Sequence, residues 1–395
     1  MTSTFHDGKS VQQAGGQTLY DVAVIGAGPA GCAAATALAT RGLTVVLLEK
    51  AVLPRYKTCG GGILPRAFQR LPASVVEVVE RSFHSVRLNF QGEGQQFTAT
   101  RSEPLVRMTM RADLDNLLAA EAQMAGARLL DGCPVTQVTV TSDFVELTTD
   151  RGGFQARNLI AADGVQSPTA KACGWPASPR LAPAIEWELE LPAEEFARLA
   201  PTARFDFGFI PAGYAWVFPK RRHLSVGILT TGRANINLAD RLEDYLRFLG
   251  IQRRERTEKH GWLIPLEPRP GPLARGRVLL VGDAAGLADP ITAEGISYAL
   301  WSGRLAAEAI AGHPTDPVKT AAAYQALLEE NILGDLRAGR WLAKLVYHYP
   351  RLRHWAFRRQ GQRLTQFATG VLMGDCSYRE ALKNPFNYLK MLGRR

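Results

Sequence analysis

The chain has 395 residues, of which 46% are hydrophobic and 21% charged, and its formal net charge is +10 at pH 7. These values predict an ordinary globular protein with one large domain or several interleaved ones. The five cysteines (Cys32, Cys59, Cys133, Cys173 and Cys376) form no CxxC pair and no metal-ligand spacing. This argues against zinc, iron–sulfur and disulfide-scaffold proteins and favours a reducing cytoplasm.

The N-terminal part of the sequence predicts a tail followed by a β-α-β unit. Residues 1–19 are polar and rich in Gly and Gln, with no apolar core of the kind that signal peptides carry, so we expect a disordered tail. Tyr20–Ile25 is a β-branched run that predicts a buried strand, the alanine-rich Cys32–Thr40 predicts a helix, and Leu43–Leu48 predicts a second strand. No apolar run in the sequence is long enough to span a bilayer.

A glycine-rich turn lies between the first predicted strand and the helix. It reads GAGPAG from Gly26 and fits GxGxxG: the first glycine makes the turn, the second lets backbone approach a pyrophosphate, and the third lets helix and strand pack. Glu49 ends the second strand, where a carboxylate can accept hydrogen bonds from ribose hydroxyls. The sequence therefore predicts a dinucleotide site that includes Gly26, Gly28, Pro29, Ala30, Gly31, Glu49 and Lys50.

The segment Arg55–Pro65 reads RYKTCGGGILP and places three glycines directly after Cys59. Consecutive glycines lose much backbone entropy on ordering, so we expect a ligand to approach the bare backbone of Gly60, Gly61 and Gly62. Cys59 would then lie at the edge of a reaction site, although most free cysteines are buried and behave as small hydrophobic residues.

Farther along the chain, the sequence predicts further helices and strands. The pattern predicts a helix at Arg111–Gln123, two strands within Val135–Thr149, a strand at Asn158–Ala161, another at Arg277–Val281 and a helix at Gly295–Ala311. Between them, alternating runs predict an antiparallel sheet with strands at Ile185–Leu191, Ala203–Ile210, Tyr214–Phe218 and His223–Thr230.

The predicted fold class is mixed α/β (α+β), with a Rossmann-type nucleotide-binding domain, an inserted antiparallel sheet and a helical C-terminal region. We expect the nucleotide-binding domain at residues 20–60, 105–175 and 275–312, the sheet domain that binds substrate at 61–104 and 176–274, and the helical region at 313–395.

Two later motifs identify the nucleotide. Asp163-Gly164 and Gly282-Asp283 each follow a predicted strand, and with GxGxxG they give three motifs in order. Over residues 20–310 the chain resembles FAD-dependent aromatic hydroxylases of the p-hydroxybenzoate hydroxylase type. The resemblance implies FAD, with Asp283 at the ribitol, Asp163 near the pyrophosphate, Arg111 on FAD and Val135 beside the adenine.

The N-terminus of the helix that follows is expected to face the flavin. Free N–H groups at Gly295 and Ile296 would stabilise the negative charge that reduced flavin carries at its N1–C2=O edge. The sequence has no second GxGxxG for a nicotinamide, so NADPH would visit transiently or ferredoxin would supply the electrons.

A second signature, GYAWVFPK, spans Gly213–Lys220. Tyr214, Trp216 and Phe218 project from one face of the predicted strand, either as core packing or as one wall of an apolar slot. Together with KxCGGG, this motif resembles the geranylgeranyl reductase family, flavoproteins that saturate isolated double bonds of prenyl chains on lipids, quinones or chlorophyll precursors. The resemblance implies that Cys59 lies near the flavin and that Tyr214 and Trp216 line the substrate cavity, and we add Phe218 and Lys220 as candidate substrate contacts.

An isolated alkene has no carbonyl to accept electrons, so a positioned acid must accompany hydride transfer. Cys59 is the first candidate for this proton and Tyr214 the second, whereas Lys57 and Lys220 either supply protons through water or bind phosphate. The alternatives are an aromatic monooxygenase, a halogenase, which would carry WxWxIP in place of YAWVFP, and a flavoprotein that carries prenyl lipids without turnover.

The C-terminal region is basic and aromatic. No acidic residue lies between Leu336 and Gly374, where eight Lys and Arg residues are interleaved with apolar ones. This pattern indicates either an anionic membrane surface as a partner or a solvated helical face. No nucleic-acid motif accompanies the charge. We expect a cytoplasmic protein, with peripheral association at the cytoplasmic face of a membrane as one outcome.

Overall fold

The computed structural model describes residues 13–14, 17–90, 94–232 and 236–383. Most of the predicted tail, residues 1–12 and 15–16, lies outside this part of the chain, but residues 17–19 already belong to the first long strand. In the described residues, no helix has both the length and the apolar character needed to cross a membrane.

Helices separate several of the strands in the first third of the chain, and only helices follow the last two strands in the described residues. The strands are β1 (Gln13–Ala14), β2 (Gln17–Ile25), β3 (Val45–Leu48), β4 (Gly62–Ile63), β5 (Arg81–Phe83), β6 (Ser85–Phe90), β7 (Gln95–Thr100), β8 (Val106–Met108), β9 (Arg128–Leu130), β10 (Val135–Val140), β11 (Val145–Thr149), β12 (Gly152–Ala161), β13 (Leu181–Glu190), β14 (Ala203–Phe207), β15 (Gly213–Pro219), β16 (Leu224–Thr230), β17 (Arg256–Pro265), β18 (Ala274–Arg275) and β19 (Val278–Leu280).

The helices become longer and more frequent towards the C-terminus. They are α1 (Pro29–Thr40), α2 (Pro65–Phe68), α3 (Arg111–Met124), α4 (Pro168–Ala172), α5 (Ala193–Leu199), α6 (Leu238–Phe248), α7 (Gly282–Ala285), α8 (Ile296–Gly312), α9 (Pro317–Leu328), α10 (Gly334–His348), α11 (Pro350–Met373) and α12 (Tyr378–Lys383), with a 3-10 helix at Ala73–Val78 and a π-helical turn at Glu329–Leu333.

The first sheet forms the nucleotide-binding domain. Strands β9, β3, β2, β12 and β19 run parallel, and β11 and β10 extend the sheet in antiparallel fashion from β12. Helices α1, α3 and α8 pack together over this sheet and bury the main apolar core with it. The carboxyl end of β2 carries the GxGxxG turn, which is where a doubly wound sheet binds its ligand.

The second sheet has the order β17-β13-β16-β15-β14-β6-β7. It was expected to be antiparallel throughout, but β14 and β6 pair in parallel. Residues alternate between its two faces: on β15, Ala215 and Val217 pack into the core that α6 covers, while Tyr214 and Trp216 face the opposite side, towards the first sheet. This opposite face is one wall of the site described below.

Candidate functional site

The glycines of the GxGxxG turn do two different things. At Gly26 (φ +104°) a Cβ atom would lie 2.4 Å from the Ala162 carbonyl oxygen, and at Gly31 one would lie 1.9 Å from the Gly26 carbonyl oxygen, so both are required for packing. Gly28 is different, because a Cβ there would meet only the guanidinium tips of Arg55 and Arg111, each at 3.9 Å. Gly28 therefore leaves open space directly beside the N-terminus of α1, where a pyrophosphate is stabilised.

A buried charge network lies next to this turn. The Glu49 carboxylate accepts hydrogen bonds from the Ala27 backbone N–H (2.9 Å) and from Arg55 (3.3 Å). Arg55 also binds Asp115 at 3.0 Å, and Arg111 binds the same carboxylate through Nε and Nη2, both at 2.8 Å. The network fixes two guanidinium groups beside the opening left by Gly28, where they would bind phosphate oxygens.

A cavity of about 910 Å³ extends from this turn to the second sheet. Most of the predicted site residues line it, namely Gly26, Gly28, Pro29, Ala30, Glu49, Lys50, Cys59, Gly60, Gly61, Gly62, Arg111, Val135, Asp163, Gly164, Tyr214, Trp216, Phe218, Asp283, Gly295 and Ile296. Gly31, Gly282 and Lys220 are not part of its wall in the described structure. Gly282 (φ +53°) instead packs against Ala30, whose Cβ would lie 3.0 Å from an added Cβ.

The acidic residues of the two later motifs differ in how their carboxylates are held. Asp163 accepts hydrogen bonds from the Ser167 hydroxyl (2.5 Å) and the Thr169 N–H (3.0 Å), so its carboxylate orders the turn into α4. Burial raises the pKa of Asp283, while the charges of Lys57 and Arg111 oppose the rise. A Cβ added at Gly295 would lie 3.3 Å from Asp283 Oδ1, so this carboxylate borders the start of α8.

The triglycine loop is shaped by contacts within the protein. A Cβ at Gly60 would lie 2.8 Å from the Phe218 ring, and one at Gly61 (φ +66°) would lie 2.0 Å from the Thr109 carbonyl oxygen and 2.4 Å from Lys220 Nζ. The expectation that a ligand alone requires this bare backbone is therefore incomplete, because the second sheet and Thr109 already exclude side chains.

Lys220 explains why the loop approaches so closely. It is 1% exposed, and its ammonium group donates to the carbonyl oxygens of Gly60 (2.7 Å) and Thr109 (2.8 Å). The sequence predicts a contact between Lys220 and substrate, whereas the bonds in this structure direct its ammonium group towards the loop. Cys59 is also held by the loop, because its Sγ accepts a hydrogen bond from the Gly61 backbone N–H at 3.4 Å.

The aromatic side chains of β15 form a wall of the cavity. The Tyr214 hydroxyl donates to the Thr292 carbonyl oxygen, and burial raises the pKa of this tyrosine. Trp216 Nε1 donates to Ser225 Oγ at 3.4 Å, and the Phe218 ring meets the edge of the Phe205 ring. Tyr214 thus links the second sheet to the loop before α8. Its hydroxyl proton is engaged in the hydrogen bond to the Thr292 carbonyl oxygen.

Three parts of the site were not predicted from the sequence. Arg55 stands immediately before the YKTCGGG run, but no motif marked it as a partner of Glu49. Glu186 on β13 lines the cavity, although the alternating apolar and polar residues of its strand predicted only a place in the antiparallel sheet. Helix α11, from a region without a recognisable motif, contributes Thr365, Ala368, Thr369 and Leu372 to the wall.

Comparison with known proteins identifies a matching domain family and several relatives. An FAD-binding domain family model matches residues 19–189. The chain is 32% identical over 363 residues to a menaquinone reductase of Mycolicibacterium smegmatis, covering 83% of this chain and 85% of the relative. It is 32% identical over 319 residues to a geranylgeranyl diphosphate reductase of Rhodobacter capsulatus, covering 75% and 78%.

The chain belongs to the geranylgeranyl reductase family of FAD-dependent oxidoreductases. A solved structure of a geranylgeranyl bacteriochlorophyll reductase-like protein from Thermoplasma acidophilum has the same fold, with a TM-score of 0.73, 23% identity and coverage of 83% of this chain and 88% of that one. The residues present fit FAD: Gly28 leaves room for a pyrophosphate, Arg55 and Arg111 would face it, and the N-terminus of α8 borders the cavity.

Proposed function

We propose that this family member saturates isolated C=C bonds of a prenyl chain, of the geranylgeranyl type, carried on a lipid, a quinone or a chlorophyll-like molecule. One observation carries the proposal: the predicted FAD cradle and the aromatic wall of β15 belong to a single continuous cavity. The relatives named menaquinone reductase and geranylgeranyl diphosphate reductase support this class of substrate.

The far part of the cavity suits a long apolar chain. Its lining there comes from the second sheet, the neighbouring strand β8 and helix α11, and consists of Val86, Leu88, Ala99, Leu105, Val106, Phe205, Phe207, Ala368 and Leu372. Such a surface binds hydrocarbon by removing its apolar area from water, about 25 cal/mol for each Å².

The chemistry divides between the cofactor and the chain. Reduced FAD supplies a hydride equivalent, and NADPH or ferredoxin is the proposed source of its electrons. The chain's residues must keep water out, hold the alkene and provide one proton for each bond. Cys59 is our candidate for delivering that proton, because its thiol lies on the cavity wall and is oriented by the Gly61 N–H. Tyr214 is the second candidate, and its bond to the Thr292 carbonyl oxygen gives it a positioning role in this structure.

We also propose that the C-terminal helices rest on an anionic membrane surface. Trp341, Tyr349 and Trp355 are 67%, 56% and 45% exposed along α10 and α11, and Leu345 and Leu352 are exposed between them. Lys344 and Arg359 lie over the Trp341 and Trp355 rings. Exposed aromatic residues with adjacent cations favour the lipid headgroup region, and α11 continues from this surface to the cavity wall.

Not every residue of the basic segment contributes to that surface. Arg353 is buried against the Phe90 ring and donates to the Val346 carbonyl oxygen, and Tyr347 is also buried. Arg337 and Arg340 pair with Glu329 and Glu267. The proposed membrane surface therefore includes fewer residues of the basic segment than the sequence indicated.

Anaerobic flavin spectroscopy tests the proposed activity. The bound FAD is bleached by a chemical reductant, and a geranylgeranylated lipid or menaquinone is then added without oxygen. A prenyl reductase regains its oxidised flavin spectrum and stoichiometrically saturated product. An aromatic monooxygenase or a halogenase would need oxygen to reoxidise, and a carrier would stay bleached, so either behaviour would refute the proposal.

A further inference from the structure

Glu186 is a buried carboxyl group on the cavity wall that the arguments above leave without a role. It lies on β13, between β16 and β17, and is 1% exposed. Its Oε1 atom accepts a long hydrogen bond (3.5 Å) from the Tyr56 hydroxyl. Its Oε2 atom has no hydrogen-bond partner in the described part of the chain. A buried carboxyl group with one unpaired oxygen is poorly suited to carrying a permanent charge.

The charged and titratable groups around Glu186 come from each element packed against it. They are Glu188 on β13, Lys220 after β15, His223 before β16, His260 on β17, and Tyr56 and Cys59 in the loop above. Burial raises the pKa of Glu186 to about 7, and Glu188 acts in the same direction. The Lys220 charge opposes the rise, as do hydrogen bonds from the Ser225 side chain and the Cys59 backbone N–H. Lys220 directs its described hydrogen bonds to the loop carbonyls and leaves the carboxyl group without a direct counter-ion.

A path for protons leads from solvent to this carboxyl group. Tyr56 is 41% exposed, and its hydroxyl lies within 3.2 Å of a Glu188 oxygen and 3.5 Å of Glu186. A tyrosine hydroxyl has one proton and can also accept one, so it can pass a proton between the two carboxyl groups. Burial and both carboxylates raise the pKa of Tyr56, which keeps that hydroxyl neutral. On the side of the loop, the Glu186 carboxyl group accepts a hydrogen bond from the Cys59 backbone N–H, which places it beside the residue that carries the thiol.

We propose that Glu186 takes up protons from solvent through Tyr56 and restores the proton that Cys59 gives to the alkene. The inference rests on the proposed function. For each double bond, one alkene carbon would receive the hydride equivalent that bound, reduced FAD supplies. The S–H bond of Cys59 breaks as a C–H bond forms at the other carbon, the thiolate takes the Glu186 proton, and the carboxylate is reprotonated from water. Glu186 acts through Cys59 and is therefore a positioning residue for the proton.

The first test follows the carboxyl group itself. Infrared difference spectra of the oxidised holoenzyme, titrated between about pH 5 and about pH 9, are compared for the parent, Glu186→Gln and Glu190→Gln. Glu190 lies on the same strand with an exposed side chain and is the matched control. We expect a protonated-carboxyl band that disappears with a midpoint near neutrality in the parent and in Glu190→Gln and that is missing in Glu186→Gln. An unchanged band in Glu186→Gln would overturn the inference.

The second test follows the rate of repeated anaerobic turnover on prenyl substrate, in which a chemical reductant re-reduces the FAD and Cys59 must be reprotonated before the next bond is saturated. In the parent and in Glu190→Gln the rate falls as pH rises through neutrality. In Glu186→Gln, with normal FAD content, we expect a rate about 100-fold lower at acidic pH and independent of pH. Glu186→Asp keeps a carboxyl group and should restore pH dependence, and Tyr56→Phe should slow repeated turnover. A parent-like rate profile in Glu186→Gln contradicts the inference. If the parent itself is not reoxidised, the proposed function fails, while the infrared titration still decides whether Glu186 binds the proton.

Discussion

Replacing Gly61 with alanine tests why the triglycine loop carries no side chains. The left-handed backbone of Gly61 (φ +66°) costs alanine about 1 kcal/mol. The larger effect is steric, because the new Cβ would lie 2.0 Å from the Thr109 carbonyl oxygen and 2.4 Å from Lys220 Nζ. The loop must move, and the two hydrogen bonds from the Lys220 ammonium group weaken, each contributing about 1.5–3 kcal/mol. We expect a total loss of about 3–5 kcal/mol in the free energy of unfolding.

Urea unfolding of the purified variant measures this loss, with Gly276→Ala as the matched control. Gly276 also has a left-handed backbone (φ +54°), but a Cβ there meets nothing within 4 Å. The control should lose only about 1 kcal/mol. Equal losses in the two variants would refute the reasoning, because they would mean that the contact with Thr109 and Lys220 does not restrict the loop.

Four further changes test the rest of the account. Gly28→Val should fold normally, since its φ of −85° suits any residue, yet purify without FAD because the side chain fills the open space beside α1. Cys59→Ser should retain FAD but be reoxidised by prenyl substrate about 100-fold more slowly. Trp341→Ser combined with Trp355→Ser should abolish sedimentation with anionic vesicles while leaving the activity on detergent-dispersed substrate unchanged. Glu186→Gln should gain stability relative to the parent as pH rises, because the folded-state pKa of Glu186 is raised to about 7. Ionisation of Glu186 destabilises the folded parent protein. This destabilisation is absent below the pKa that Glu186 has in the unfolded chain and complete above its folded-state pKa. The unfolding free energy of Glu186→Gln minus that of the parent should therefore grow by about 3 kcal/mol between about pH 4.5 and about pH 8.

Each of these changes has an outcome that would contradict it, and two of them have a matched control variant. Gly312→Val, at a position open to solvent, should keep its FAD, and full FAD content in Gly28→Val would argue against the pyrophosphate position. A parent-like rate in Cys59→Ser removes the thiol from the proposal. Val318→Ser removes an exposed apolar residue elsewhere, so an equal loss of vesicle binding there would make the effect non-specific. A stability difference independent of pH would contradict the position assigned to Glu186.

The nucleotide-binding half of the site could be predicted because its signals are local. The turn from β2 into α1, the acid at the end of β3 and the start of α8 each lie within a few residues of the elements that position them. The other half of the site, beside the second sheet, depends on contacts between segments that are far apart in the sequence. The sequence gives no sign that Lys220 reaches the carbonyls of Gly60 and Thr109, or that β14 pairs in parallel with β6, more than a hundred residues away.

Glu186 shows a further limit of pattern analysis. On β13 the run Ile185-Glu186-Trp187-Glu188 alternates apolar and polar residues, which ordinarily predicts a solvent-facing polar side. In the structure the loop around Tyr56 covers that side, so the polar face of the strand becomes a cavity wall. Helix α11 reaches the same cavity through tertiary packing alone. Nothing in the sequence around Lys220 indicates that its ammonium group binds two backbone carbonyl oxygens.

The mass of a prenylated lipid after anaerobic incubation with the reduced holoenzyme tests the central claim most directly. The account predicts a product heavier than the substrate by two hydrogens for every double bond saturated, in an amount matched to the flavin reoxidised. Unchanged lipid mass with fully reduced, FAD-loaded enzyme and each candidate head group would contradict it.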